Sequence, residues 1–152
     1  MARYVPPPVI PADEVAAFYA AITSGEIVLV ASRDPQVVYA SNVEYRASNG
    51  WVIVVFNDAN EFDYIDHITS PDGREIDLNQ IERTPLDWVP DEETAWALFG
   101  IPGHRKFRCR LCGAVLPVRP ADGAFLCGSG RCVGLRNPAV PTRIDVQDAT
   151  GR

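Results

Sequence analysis

The chain has 152 residues, 47% of them apolar, which is enough for one ordinary core with a small appendage and makes a globular protein the expectation. Its first 25 residues hold no apolar run of signal-peptide length. Its longest apolar run, WVIVVF at Trp51 to Phe56, falls far short of the roughly 20 residues of a membrane span, so export and membrane insertion are not expected. The net charge of −6 hides a division: residues 1–102 carry 17 acidic against 5 basic side chains, a net of −12, and residues 103–152 carry 9 basic against 3 acidic, a net of +6.

Such an acidic body with a basic tail piece points to an electrostatic partner, the simplest being the other half of the same molecule. The reading is of a soluble, cytoplasmic protein.

In chain order, YVPPPVIP cannot form regular hydrogen-bonded structure and marks residues 1–11 as an extended, proline-rich arm. From Ala12 to Thr23, the spacing of Val15, Phe18, Tyr19 and Ile22 predicts an amphipathic helix that stops at Gly25. Four runs rich in β-branched and aromatic residues follow: EIVLVA, QVVYASNVEYR, WVIVVFND and EFDYIDHIT. The breaks between and after them (SRDP, ASNG, Ala59-Asn60 and SPDG) have turn chemistry, and short breaks favour antiparallel neighbours.

Within EFDYIDHIT, strict alternation puts Glu61, Asp63, Ile65 and His67 on one face and Phe62, Tyr64, Asp66 and Ile68 on the other. Asp66 then points with the apolar set and needs either a hydrogen-bond partner or a bulge that returns it to water. After Pro90, DEETAWALFG predicts a second helix, with Asp91 near its start and Gly100 closing it. The fold class is therefore α+β: residues 12–100 form an acidic domain with an antiparallel sheet of about four strands and two flanking helices. Residues 101–106 read as a linker and residues 137–152 as a C-terminal tail.

All four cysteines lie between Cys109 and Cys132, as C-x2-C, fourteen residues, then C-x4-C. The intervening AVLPVR, PADG and AFLC read as two short strands joined by a turn at Pro120 to Gly123. Folding that hairpin brings Cys109, Cys112, Cys127 and Cys132 together, and four thiolates satisfy the tetrahedral preference of Zn²⁺. A segment of roughly 30 residues lacks the apolar area for its own core, whereas structural zinc contributes about 10–16 kcal/mol in small fingers.

Disulfides, buried thiols and an iron centre are the alternatives. Catalytic zinc is disfavoured because four thiolates close the coordination sphere. His104 lies outside the usual pair spacing and reads as a linker residue. Residues 107–136 read as a basic ribbon module, of which about residues 107–135 resemble the zinc-ribbon family, through the C-x2-C-G knuckle at Cys109 to Gly113. The second cysteine pair departs from that pattern, being spaced by four residues rather than two.

HRKFRCR alternates so that Phe107 and Cys109 share one side and Lys106, Arg108 and Arg110 the other. With Arg119, Arg131 and Arg136 these cations could contact phosphates, or could dock the ribbon on the acidic body or on a protein partner. Only Phe107 and Phe125 are aromatic here, and the body's charge opposes a duplex.

Asp58, Glu61, Asp63 and Asp66, with His67 and Asp72 close behind, could hold Mg²⁺ or Mn²⁺ for hydrolysis, or could be turn formers and a solvated face. Asn57, Asp58, Glu61, Phe62, Asp63, Tyr64, Asp66 and the Pro71-Asp72-Gly73-Arg74 turn resemble an uncharacterised family of small bacterial domains with the pattern ND-x-x-E-[LF]-D-Y-x-D followed by PDGR. That resemblance implies a grouping and no mechanism. The leading expectation is a non-enzymatic adaptor with structural Zn²⁺ and a protein partner. A nucleic-acid-binding regulator comes second, and a carboxylate-metal hydrolase third.

Overall fold

The computed structural model describes residues 9–78, 88–120, 125–127 and 144–146. Helix α1 (Ala12–Ser24) starts behind Pro11, and Gly25 stops it in the left-handed conformation (φ +84°), donating its N–H to Ile22 O. Its buried residues are Val15, Phe18, Tyr19 and Ile22, the four that set the sequence period.

Strands β1 (Leu29–Ala31), β2 (Ala40–Ala47), β3 (Val52–Asp58), β4 (Glu61–Thr69) and β5 (Glu75–Asp77) form an antiparallel meander, each paired with the next. Strand β6 (Ile144–Val146) adds to β1 in parallel, so the order across the sheet is β5-β4-β3-β2-β1-β6. Helix α2 (Glu92–Phe99) follows β5 in the chain, with Asp91 as its N-cap and Gly100 left-handed at its end. Both helices pack on one face of the sheet. Val15, Phe18 and Ile22 from α1 and Ala95, Leu98 and Phe99 from α2 join Val43, Tyr45, Ile53, Val55, Ile65 and Ile68 in a single core.

The α+β class and both helices match the sequence reading, while the sheet has five antiparallel strands rather than about four. Two local differences have physical causes. QVVY does not begin a strand, because Asp34 accepts a hydrogen bond from Gln36 N–H and opens a 3-10 turn at Pro35–Val37; β2 starts only at Ala40. The extra strand, β5, is too short for its period to be legible. It is positioned by the PDGR turn, in which Ser70 N–H donates to Arg74 O at 2.8 Å, Arg74 N–H donates to Ser70 Oγ at 3.1 Å, and the Arg74 guanidinium reaches Glu14 of α1 at 2.8 Å. Ile10, near the end of the proline-rich arm, is buried, and residues 1–8 of that arm lie outside the described residues.

Strict alternation in β4 is overturned. The buried residues are Phe62, Ile65 and Ile68, three apart, because the pairing with β3 slips twice: Phe56 faces Tyr64 but Asn57 faces Phe62, and Val55 faces Ile65 but Val54 faces His67. Asp63 and Asp66 are the extra residues at these two bulges. Each is thereby turned away from the core, as a bulge allows.

Candidate metal centre and its seat

The segment after α2 is organised by its cysteines. Cys109 and Gly113 close the first knuckle through Gly113 N–H to Cys109 O at 2.9 Å, while Cys109 N–H donates to Ala114 O at 2.8 Å. Gly113 takes φ +73°, and a Cβ there would come within 3.1 Å of the Trp96 indole nitrogen, so glycine serves both the turn and the close approach of α2. Arg108 bridges Val115 antiparallel, and Leu116 N–H donates to Phe107 O at 2.7 Å. The third thiol arrives with Phe125, whose carbonyl accepts from Arg110 N–H and whose ring stacks on Phe107 at 6.0 Å.

This folding brings the sulfurs of Cys109, Cys112 and Cys127 within 4.8 Å of one another. Cys112 Sγ and Cys127 Sγ are 3.6 Å apart. That is far longer than the about 2.05 Å of a disulfide, and close to the edge of a tetrahedron with metal–sulfur bonds of about 2.3 Å, which is roughly 3.8 Å. Cys109 is buried and the other two are half-buried, so the group can be reached by an ion yet is shielded on one side. Three thiol donors fit a borderline-soft divalent ion such as zinc. Cys132, the expected fourth ligand, lies outside the described residues, as do residues 121–123 of the expected hairpin turn and the cations Arg131 and Arg136. His104 does not join the thiols: it is 65% exposed and sits 2.8 Å from Glu92 and 3.8 Å from Glu61.

The knuckle is seated on the body by the residue before its first cysteine. Arg108 is 3% exposed; its guanidinium meets Glu92 at 2.6 Å and Glu93 at 3.1 Å, both in the first turn of α2, and lies 5.7 Å from the Trp96 ring. Gln36, fully buried, accepts from Arg108 N–H at 2.8 Å and donates to Arg108 O at 3.0 Å. Arg110 forms an ion pair with Asp34 and lies over the Phe125 ring at 5.6 Å. Gly103, at φ +80°, leaves room for Glu92, since a Cβ there would stand 2.6 Å from that side chain.

The remaining site residues from the sequence are dispersed. Lys106 is exposed over the Phe107 ring at 5.0 Å, and Arg119 is exposed. Asp58 and Glu61 face each other across the β3-β4 hairpin, whose turn residues Ala59 and Asn60 both take positive φ. Asp63 and Asp66 occupy the two bulges, and Asp66 Oδ2 is 2.7 Å from His67 Nδ1. Among the described residues, the cysteines are the group of three or more side chains whose ligand atoms converge as a metal requires. Sequence reasoning missed Gln36, Glu92, Glu93 and Trp96 as the seat. The opposite charges of the two halves were the one signal pointing there.

Among the described residues, no helix is long and apolar enough to cross a membrane. Compared with known families, residues 9–96 match a domain of unknown function (DUF7693), which ends within α2 and leaves the cysteine segment beyond it. No curated protein and no solved structure matches the chain.

Proposed function

The chain belongs to the DUF7693 family of domains of unknown function, and from that premise we propose that it is a small, non-catalytic zinc-binding adaptor whose C-terminal zinc ribbon contacts a protein partner. The observation that carries this reading is the convergence of the Cys109, Cys112 and Cys127 sulfurs within 4.8 Å of one another, with the Cys112–Cys127 pair at tetrahedral-edge spacing. Cys132 completes the set, and the closed thiolate shell gives the ion a structural role with no position for a reacting water. Bound zinc supplies the cohesion that a core would otherwise supply. The body (12–100) and the ribbon (107–136) then act as two parts joined through 101–106.

Protein rather than nucleic acid is favoured as partner by what the cations already touch. Arg108 and Arg110 are neutralised by Glu92, Glu93 and Asp34, which leaves Arg105, Lys106 and Arg119 as the exposed cations of this segment among the described residues. Few cations remain for phosphates. The test compares partner capture by the full chain, by Cys109→Ser and Cys132→Ser variants, and by a Lys106→Gln/Arg119→Gln variant. A ribbon-led contact predicts loss in all three. Partners lost only when the body is altered would contradict it, and salt-sensitive retention on DNA or RNA that fails in the Lys106/Arg119 variant would favour the nucleic-acid reading.

A further inference from the structure

The face of the sheet turned away from both helices carries its own pattern. Cross-strand register assigns it Asn42, Glu44 and Arg46 from β2, Val52, Val54 and Phe56 from β3, Tyr64, His67 and Thr69 from β4, and Glu75 and Asp77 from β5. The two bulges add Asp63 and Asp66 to it. Val54 is buried, yet it belongs to no part of the helix-side core, so this face packs a small apolar patch of its own. At its centre Phe56 and Tyr64 stack with ring centroids 5.2 Å apart and an interplanar angle of 16°, both half-buried. Among the described residues no helix or strand lies over this pair.

Charge on this face is one-sided. Among the described residues, Glu44, Asp63, Asp66, Glu75 and Asp77 on this face oppose the guanidinium of Arg46, which is 3.9 Å from Glu44, and the imidazole of His67, whose Nδ1 is 2.7 Å from Asp66 Oδ2. Asp63 and Asp66 flank Tyr64 in sequence and both bulge outward beside it. Their nearness is felt by the phenol, whose pKa is raised first by burial, then by Asp66 and Asp63.

We propose that this face docks an arginine-bearing peptide segment of a partner protein, a guanidinium stacking on the Phe56–Tyr64 pair while Asp63, Asp66 and Glu44 accept its hydrogen bonds. Aromatic faces attract cations through the ring quadrupole, and a planar guanidinium both stacks on a ring and forks onto a carboxylate. Lysine, a hydrated point charge, uses only part of that geometry, so arginine is the preferred side chain. Aromatic sheet platforms also serve single-stranded nucleic acid, but those sit in positively charged grooves and this one sits among carboxylates. The proposal does not rest on the metal centre, which lies on the helix side through Arg108 and α2.

The experiment titrates the full chain into a fluorescein-labelled octapeptide of alternating arginine and glycine, read by fluorescence anisotropy, with the lysine analogue and a single-stranded oligonucleotide alongside. The variants are Tyr64→Leu, Glu44→Gln/Asp63→Asn, and a charge-matched control, Asp13→Asn/Glu26→Gln, on and just after the helix that covers the opposite face. Expected is binding that weakens at least roughly fivefold in the first two and less than twofold in the control, with the lysine peptide weaker than the arginine one. Equal loss in the control would reduce the effect to general charge attraction and overturn the proposal. So would wild-type binding by Tyr64→Leu, or tighter binding of the oligonucleotide. No peptide binding by the wild-type chain would also overturn it, including the case in which the chain's own basic segment already occupies the face. Should Tyr64→Leu fail to fold, amide shift changes in the wild-type protein decide: they must concentrate in β3 and β4 at Phe56, Asp63, Tyr64 and His67.

Discussion

The carboxamide of Gln36 makes both backbone bonds of Arg108, accepting from its N–H at 2.8 Å and donating to its C=O at 3.0 Å, as a neighbouring strand would. A side chain from the 3-10 turn thus fixes the residue next to the first thiol. Replacing Gln36 by Leu fills the space but leaves a buried donor and acceptor unmet. The expected cost is about 3 kcal/mol of unfolding free energy, measured by denaturant titration. A change under about 1 kcal/mol would mean that the seat is not held through this pair.

Gly103→Ala drives a Cβ to within 2.6 Å of Glu92 in a backbone conformation that side chains avoid. We expect a loss of about 1–2 kcal/mol by the same titration, part of it from Glu92 leaving Arg108. In a Glu92→Ala background the clash is gone and the loss should shrink; an unchanged loss would assign it wholly to the backbone.

Tyr45 is fully buried and donates its hydroxyl to Phe99 O, at the end of α2, at 2.6 Å. Burial is the main cause that pushes its phenol pKa well above the ordinary range, with Arg110 opposing and Asp34 adding to the shift. A folded-state value above the unfolded one means that its stabilisation is whole below about pH 10 and fades as pH rises towards the folded value. Tyr45→Phe should cost about 1–2 kcal/mol at neutral pH and remove this part of the alkaline decline, both read by thermal unfolding across pH.

Asp91 caps α2, accepting from Thr94 N–H at 2.7 Å, and that bond is the chief cause that holds its carboxyl below the usual range. A lowered value reverses the sign: the contribution is present above about pH 4 and is lost as pH falls through the folded-state value. Asp91→Asn keeps a capping oxygen without the titration, so its melting temperature should fall less steeply in acid than that of the wild type. Parallel acid profiles would remove Asp91 from the account.

Much of the fold was legible because local signals agreed. Val15, Phe18, Tyr19 and Ile22 announced α1, and Asp91 with Gly100 bracketed α2. The β4 faces were misread because two bulges shift the period at Asp63 and Asp66, and bulges are set by cross-strand pairing rather than by the strand's own residues. The nearness of Cys109 and Cys112 followed from spacing, since a C-x2-C-G turn is a local structure, and the expected hairpin return supplied Cys127, while Cys132 lies outside the described residues. The seat did not: Gln36 lies 72 residues from Arg108, and nothing in a polar glutamine beside a proline signals full burial. The opposite charges of body and tail gave the direction of that contact without its residues.

The central claim is that sulfur ligation of one ion holds the C-terminal segment in place of a core. Elemental analysis of protein purified under reducing, chelator-free conditions tests it most directly. The account predicts close to one zinc per chain, reduced well below that in Cys109→Ser. Metal-free wild-type protein, with the segment's amides as protected from exchange as those of the sheet, would contradict it.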